Sequence, residues 1–184
     1  MNSSTPSNNT PRRRKSPLTI KEITVFAMLA ALMFCSKKVM EGLPNIHLVG
    51  MLTITYTVVY RTKALIPLYL YVFLDGLFLG FNTAWVPYLY IWTILWGLTM
   101  LLPRKMPKGV ACVVYPVLCM LHGLAFGILY APAQAVLFGL NFEQTIAWVI
   151  AGFTFDIIHA IGNFAVGLLV YPMVMLLKKL EKRV

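Results

Sequence analysis

From Thr19 to Leu180 the chain is a series of long apolar blocks parted by short clusters of Gly, Pro and charge, a pattern of helices apolar on every side. Thr19 with Glu22 has the form of a capping box and predicts helix 1 from Thr19 through Phe26, Leu29 and Phe34 to about Met40, where Gly42 and Pro44 end it. Helix 2 is expected over about 46–60, closed by Arg61 and Lys63, helix 3 over 64–81, helix 4 over 84–102 and helix 5 over 110–130. Pro103, Arg104, Lys105, Met106, Pro107 and Lys108 form a turn between helices 4 and 5. Asn141 with Gln144 has the form of a second capping box, Gly152 interrupts, and a last apolar run covers 153–177 as helix 6. The stretch 132–152 is the ambiguous piece.

Composition changes the picture from helical to membrane-embedded. The 184 residues are 59% hydrophobic and 12% charged, against roughly 45–50% and about 25% in a soluble domain. The mean hydropathy is +0.76. A helical crossing needs about 20 apolar residues, so this length allows six or seven crossings and leaves no room for a folded soluble domain. No G-x-x-x-x-G-K-[ST] segment is present, so the chain carries no nucleotide-driven motor of that kind. Cys35, Cys112 and Cys119 lie in apolar runs without C-x-x-C spacing, and read as packing residues rather than a disulfide framework or a zinc site.

Charge placement sets the expected topology. The net charge of +10 comes from basic clusters between apolar runs, which is the pattern of topology signals and not of a nucleic-acid groove. Residues 1–18, rich in Ser, Asn, Pro and Arg, read as a disordered basic cytoplasmic tail, with the membrane domain over 19–184. Arg12, Arg13, Arg14 and Lys15 ahead of an apolar run could open a cleaved export signal, but no small-residue cleavage pattern closes the run, so helix 1 is read as retained. With six helices and both termini cytoplasmic, 14 of the 16 basic residues fall inside, leaving only Lys37 and Lys38 outside. A seventh span would put the C-terminal cluster outside, so 132–152 is expected to be an external or partly re-entrant connection. The fold class is thus an all-α integral membrane protein with six transmembrane helices.

Ionisable groups at membrane depth are costly and are candidates for function. In this topology Glu41, Asn45, His47, His122, Asp156, His159 and Asn163 all fall toward the outer side, and Asp75 in helix 3 is a further buried acid. Asp156, His159 and Asn163 stand at i, i+3, i+7 and share one helical face, which can address one ligand. The same three residues can instead serve as a helix N-terminal acid and interhelical glue. Trp85, Tyr88, Trp92 and Trp96 make a second one-sided stripe, fit either to stack a flat heterocycle or to form an interfacial belt and core. Lys37 and Lys38 either bind an anionic ligand group or snorkel to outer headgroups. His122 and His159 could together ligate a metal or haem iron, but no third ligand accompanies them, so neither metal nor cofactor is expected. Ala27 with Ala31, Gly76 with Gly80, and Gly123 with Gly127 have the spacing that lets helices approach closely.

These features together resemble the substrate-binding S component of an energy-coupling factor (ECF) vitamin transporter, an ABC-type importer. The resemblance covers about 19–180 and rests on loose motifs: Leu43-Pro44-Asn45-Ile46-His47-Leu48, the helix 4 run Trp85-Val86-Pro87-Tyr88-Leu89-Tyr90-Ile91-Trp92, and the segment from Phe155 to Phe164. It implies that Ala27 and Ala31 dock on a transmembrane T subunit, itself driven by two ATPases. It implies also that a vitamin-like substrate sits near the outer surface under a gating first loop, which then closes as the protein tips within a bacterial plasma membrane. The substrate-binding set is then Glu41, Asn45, His47, Trp85, Tyr88, Trp92, His122, Asp156, His159 and Asn163. A small heteroaromatic vitamin or precursor suits the tryptophan stripe, and a carboxylated one would account for Lys37 and Lys38. The other classes are a small membrane enzyme with Asp156 and His159 as acid and base, a haem or metal carrier, and a structural subunit.

Overall fold

The structure is a computed structural model that describes residues 18–43 and 45–182. The tail expected over 1–18 lies outside the described residues except for Leu18, and Pro44 of the first loop lies outside them too. All regular structure in the described residues is helical: α1 (Ile20–Val39), α2 (Val49–Tyr60), α3 (Leu65–Leu79), α4 (Tyr88–Leu101), α5 (Lys108–Leu124), α6 (Phe126–Phe138), α7 (Phe142–Gly167) and α8 (Val170–Glu181). A 3-10 turn, Arg61–Ala64, joins α2 to α3.

Three helical stretches, Val49–Leu79, Lys108–Phe138 and Phe142–Gly167, are long and apolar enough to cross a membrane, and Tyr88–Leu101 is a shorter apolar helix. The surface agrees with a lipid setting. Large apolar side chains face outward along the bundle, among them Val136 at 83% and Phe142 at 81% exposure. In water such a surface would be an association or aggregation site; against hydrocarbon it is at rest, provided the backbone is satisfied internally, as helices ensure.

Both capping boxes form. The Thr19 side chain accepts from the Glu22 N–H while Glu22 reaches back to the Thr19 N–H, and Asn141 and Gln144 do the same at the start of α7. The second of these opens a helix inside the stretch 132–152, which was expected to be an external or partly re-entrant connection. That stretch is helix almost throughout: α6 runs to Phe138, Gly139 turns the chain with φ +64, and α7 is already helical at Phe142 and passes through Gly152 without a break. Gly and Pro break helices in water, where freed backbone groups are solvated; in an apolar setting the helix is the cheapest way to satisfy them, so Pro132 and Gly152 are carried inside helices. The break expected at Gly152 lies instead at Leu168 and Leu169, between α7 and α8. Helix 2 also starts later than expected, at Val49, and helix 4 at Tyr88. Of the three cysteines Cys119 is buried, whereas Cys35 and Cys112 are exposed on the bundle surface and are not packing residues.

Helix directions follow from contacts near opposite ends of two helices. Lys63, in the 3-10 turn just before α3, pairs with Glu22 in the first turn of α1, while Lys37 near the end of α1 pairs with Asp75 in α3, so α1 and α3 run parallel. The α5–α6 segment and α7 run antiparallel at close range, because glycines line the seam. A Cβ on Gly123 would lie 2.7 Å from the Asn163 amide nitrogen, and one on Gly167 would lie 2.8 Å from the Pro116 Cα. Small residues at such a seam let two backbones approach, and packing rather than hydrophobic exclusion holds helices together in lipid.

Candidate functional site

The chain holds three histidines, and the fold brings all of them to one place. His47 comes from the loop before α2, His122 from the last turn of α5 and His159 from the middle of α7. Their rings gather around Trp92 and Phe126. His47 lies 5.8 Å from Trp92 and 5.0 Å from His159, and Trp92 lies 5.6 Å from His122 and 5.9 Å from Phe126. Phe126 closes the circle at 4.8 Å from His159 and 6.3 Å from His122. Most of these pairs are edge-to-face or tilted, the arrangement aromatic quadrupoles prefer.

A cavity of about 190 Å³ opens beside this cluster, lined by Glu41, Asn45 and His47 of the first loop, by Lys37 of α1, and by Tyr88, Phe126 and His159. The loop is tied down at two adjacent residues. Asn45, with φ +56, donates from its amide to the Phe155 carbonyl at 3.4 Å, and Ile46 packs on Gly162, where an added Cβ would lie 3.0 Å from the isoleucine side chain. An asparagine tolerates this left-handed conformation better than a branched residue.

The two cations of this region are both neutralised. The Lys37 ammonium donates to both Asp75 oxygens at 2.9 and 2.8 Å, and it also sits 4.7 Å from the centre of the Tyr88 ring. Lys38 reaches Glu41 at 3.2 Å, one helical turn on. The expectation that these lysines wait for an anionic ligand group therefore loses its basis, as does snorkelling by Lys37, because each already faces a carboxylate of its own chain.

Several buried polar atoms here have no hydrogen-bond partner within the protein: Nδ1 of His47 and His122, Nε2 of His159, Nε1 of Trp92, Oδ2 of Asp156 and both amide atoms of Asn163. Each such group costs about 1–3 kcal/mol when left unmade, and native structures keep few of them without a reason. Burial also pushes the His47 imidazole down to about 3, with the charges of His159 and Lys37 acting in the same direction, so this loop histidine is neutral.

The shared face of Asp156, His159 and Asn163 is real, and all three are buried, but they meet different neighbours. Asp156 accepts from the Gly127 N–H at 3.1 Å, His159 joins the ring cluster, and Asn163 lies deeper, against Gly123 and Gly50. The helix 4 stripe divides likewise. Trp92 is at the centre of the cluster and Tyr88 lines the cavity, whereas Trp85 precedes α4, donates to the Val72 carbonyl at 2.8 Å and packs on Phe81. Trp96 donates to the Arg61 carbonyl at 3.0 Å. The structure thus puts Glu41, Asn45, His47, Tyr88 and His159 in the cavity lining and Trp92 and His122 in the ring cluster next to it, and leaves Trp85, Asp156 and Asn163 outside both. It adds Phe126, which no sequence signal distinguishes from the ten other phenylalanines. Among the described residues no group of three or more His, Cys, Asp or Glu side chains could hold a metal ion.

No protein-family model, curated protein or solved structure matches this chain.

Proposed function

We propose that the chain is the substrate-binding S component of an ECF-type importer. In this reading it crosses a bacterial plasma membrane six times with both ends inside, and binds a small, flat heteroaromatic vitamin or precursor at the outer end of the bundle. The observation that carries the reading is the convergence of His47, His122 and His159 on Trp92 and Phe126, with buried polar atoms left unpartnered beside a cavity that the first loop lines. Ring faces supply stacking surface, and the free imidazole and indole atoms supply the few directional groups that orient a ligand.

The ligand class follows from charge. With Lys37 and Lys38 already paired, the cavity offers neutral rings and hydrogen-bonding edges, which favours an uncharged heterocycle over a carboxylate. The six-span reading takes α1, α2, α3 and α4 as single crossings, α5 with α6 as the fifth and α7 with α8 as the sixth. It is supported by the parallel run of α1 and α3 and by the 14 basic residues that it puts on one side. Ala27 and Ala31 are exposed on a flank of α1 beside the face that buries Phe26, Ala30 and Met33, as a docking stripe for a T subunit requires. The chain does no bond chemistry in this reading. Two ATPase partners supply the driving force.

The test is mass spectrometry of small molecules released from the detergent-purified protein, with His159→Ala, Trp92→Ala and the milder Trp92→Phe alongside. One stoichiometric heteroaromatic compound, lost in His159→Ala and weakened in Trp92→Phe, supports the reading. No released compound and no affinity for any member of a panel of heteroaromatic vitamins refutes it.

A further inference from the structure

At the end of the bundle where α4 passes into α5 and α8 finishes, a second cavity of about 410 Å³ is lined by residues of quite different character. Arg104 and Lys105, from the turn after α4, and Lys178, from α8, bring three cations to it, and Tyr115 and Tyr171 add two phenols. No Asp or Glu is among its lining residues, and among the described residues none of the three cations is in a salt bridge. The cationic field is reinforced from two directions. α5 begins at this cavity with Pro107 as its N-cap and no side chain capping its first amides, so the positive end of the helix dipole points here. Arg61, whose guanidinium donates at 2.7 Å to the carbonyl of Met100, four residues before Arg104, keeps its buried Nε unpartnered.

Like charges gathered around one cavity repel one another, and a bound anion relieves that repulsion. The surroundings say which kind of anion. An adjoining groove of about 570 Å³ shares Met175 and Lys178 with the cavity and continues along α8 past Leu176 to Lys179, Lys182 and its one acid, Glu181. Met175 and Leu176, which line that groove, are exposed at 52% and 48%. Polar turn and apolar flank meet here, as they do at the headgroup level of a bilayer. A free inorganic anion would use only the cationic half of this surface; a lipid uses both.

We infer that this cavity seats the phosphate-bearing headgroup of an anionic phospholipid, whose acyl chains lie on the apolar flank beside it. Arg104, Lys105 and Lys178 neutralise the phosphate, and the two tyrosine hydroxyls are placed to donate to its oxygens or to those of the glycerol. The site lies apart from the ring cluster and requires only that the protein reside in a bilayer, so it stands or falls independently of the transport reading.

The experiment uses the full chain, delipidated in detergent and offered equal amounts of phosphatidylglycerol and phosphatidylcholine, with bound lipid read by native mass spectrometry. The wild type should retain phosphatidylglycerol in preference, and R104Q/K105Q/K178Q should lose about tenfold or more of that preference. The exposed pair R104Q/K105Q, which leaves α8 untouched, should move the same way. The preference should survive in R12Q/R13Q/R14Q, which removes the same charge elsewhere, and in the charge-conserving R104K/K105R/K178R. Absence of preference in the wild type, equal loss in the two glutamine triples, or loss in the charge-conserving variant overturns the inference. Displacement of the lipid by millimolar inorganic phosphate alone would make this a site for free anions and overturn the lipid assignment.

Discussion

Lys37 of α1 and Asp75 of α3 form a two-oxygen ion pair whose carboxylate side chain is 1% exposed, on the wall between the ring cluster and the bundle surface. Breaking such a pair from one side leaves a buried charge uncompensated, which costs about 3–5 kcal/mol. Lys37→Met should therefore destabilise the protein by that order, and Lys37→Met/Asp75→Leu should recover most of the loss. Thermal unfolding in one detergent compares the two. If the double variant is no more stable than the single one, the pair is not what holds α1 to α3.

The seam between α6 and α7 makes a second expectation. A methyl at Gly127 collides with the Asp156 carboxylate, which is held in place by its hydrogen bond from the Gly127 N–H. Gly127→Ala should cost about 1–3 kcal/mol by overpacking and weaken ligand binding with it, since α7 carries His159. Gly97→Ala is the control, because nothing lies within 4 Å of a Cβ there; it should be neutral or stabilise by about 0.5–1 kcal/mol.

Acid should loosen the first loop. The His47 imidazole is held down to about 3 in the folded protein, chiefly by burial, against an ordinary 6.5. Between those values the unfolded chain binds more protons than the folded one. The contribution is thus fully present above pH 6.5 and is lost progressively as pH falls toward 3. The melting temperature should drop from about pH 7 to about pH 5, and His47→Gln should flatten part of that slope. An unchanged slope would mean that His47 is not desolvated in solution.

Docking and ligand binding should separate at α1. Ala27 and Ala31 are exposed, on a flank beside the buried face of the helix. Ala27→Trp/Ala31→Trp should abolish uptake in cells carrying the partner subunits and leave the melting temperature and ligand affinity of the isolated protein unchanged. Equal loss of both would assign the alanines to the fold instead.

How far the sequence could be read differs from element to element. The capping boxes at Thr19 and Asn141 were legible because a cap is made by residues three apart, and its hydrogen bonds form as predicted. The shared face of Asp156, His159 and Asn163 was legible for the same reason, since helical geometry alone sets it. The stretch 132–152 was misread because Gly and Pro signal breaks by rules learned in water, and apolar surroundings reverse the balance at Pro132 and Gly152. The pairing of Lys37 was not legible because its partner Asp75 lies 38 residues away, beyond any local spacing rule, whereas Glu41, the partner of Lys38, stands three residues on and was within reach of one.

Apolar block length, basic clusters and capping pairs therefore determined by themselves that this is a helical protein suited to a bilayer, and where most of its helices begin or end, because those properties depend on a residue and its near neighbours. The tertiary structure alone decided that His47 from a loop and His122 from α5 meet on Trp92, that His159 from α7 joins them through His47 and Phe126, and that Trp85 turns away to the Val72 carbonyl. Such meetings depend on which helices lie side by side and how closely. Here that closeness comes from glycines at 123, 127 and 167 on facing helices, whose effect appears only once the helices are packed.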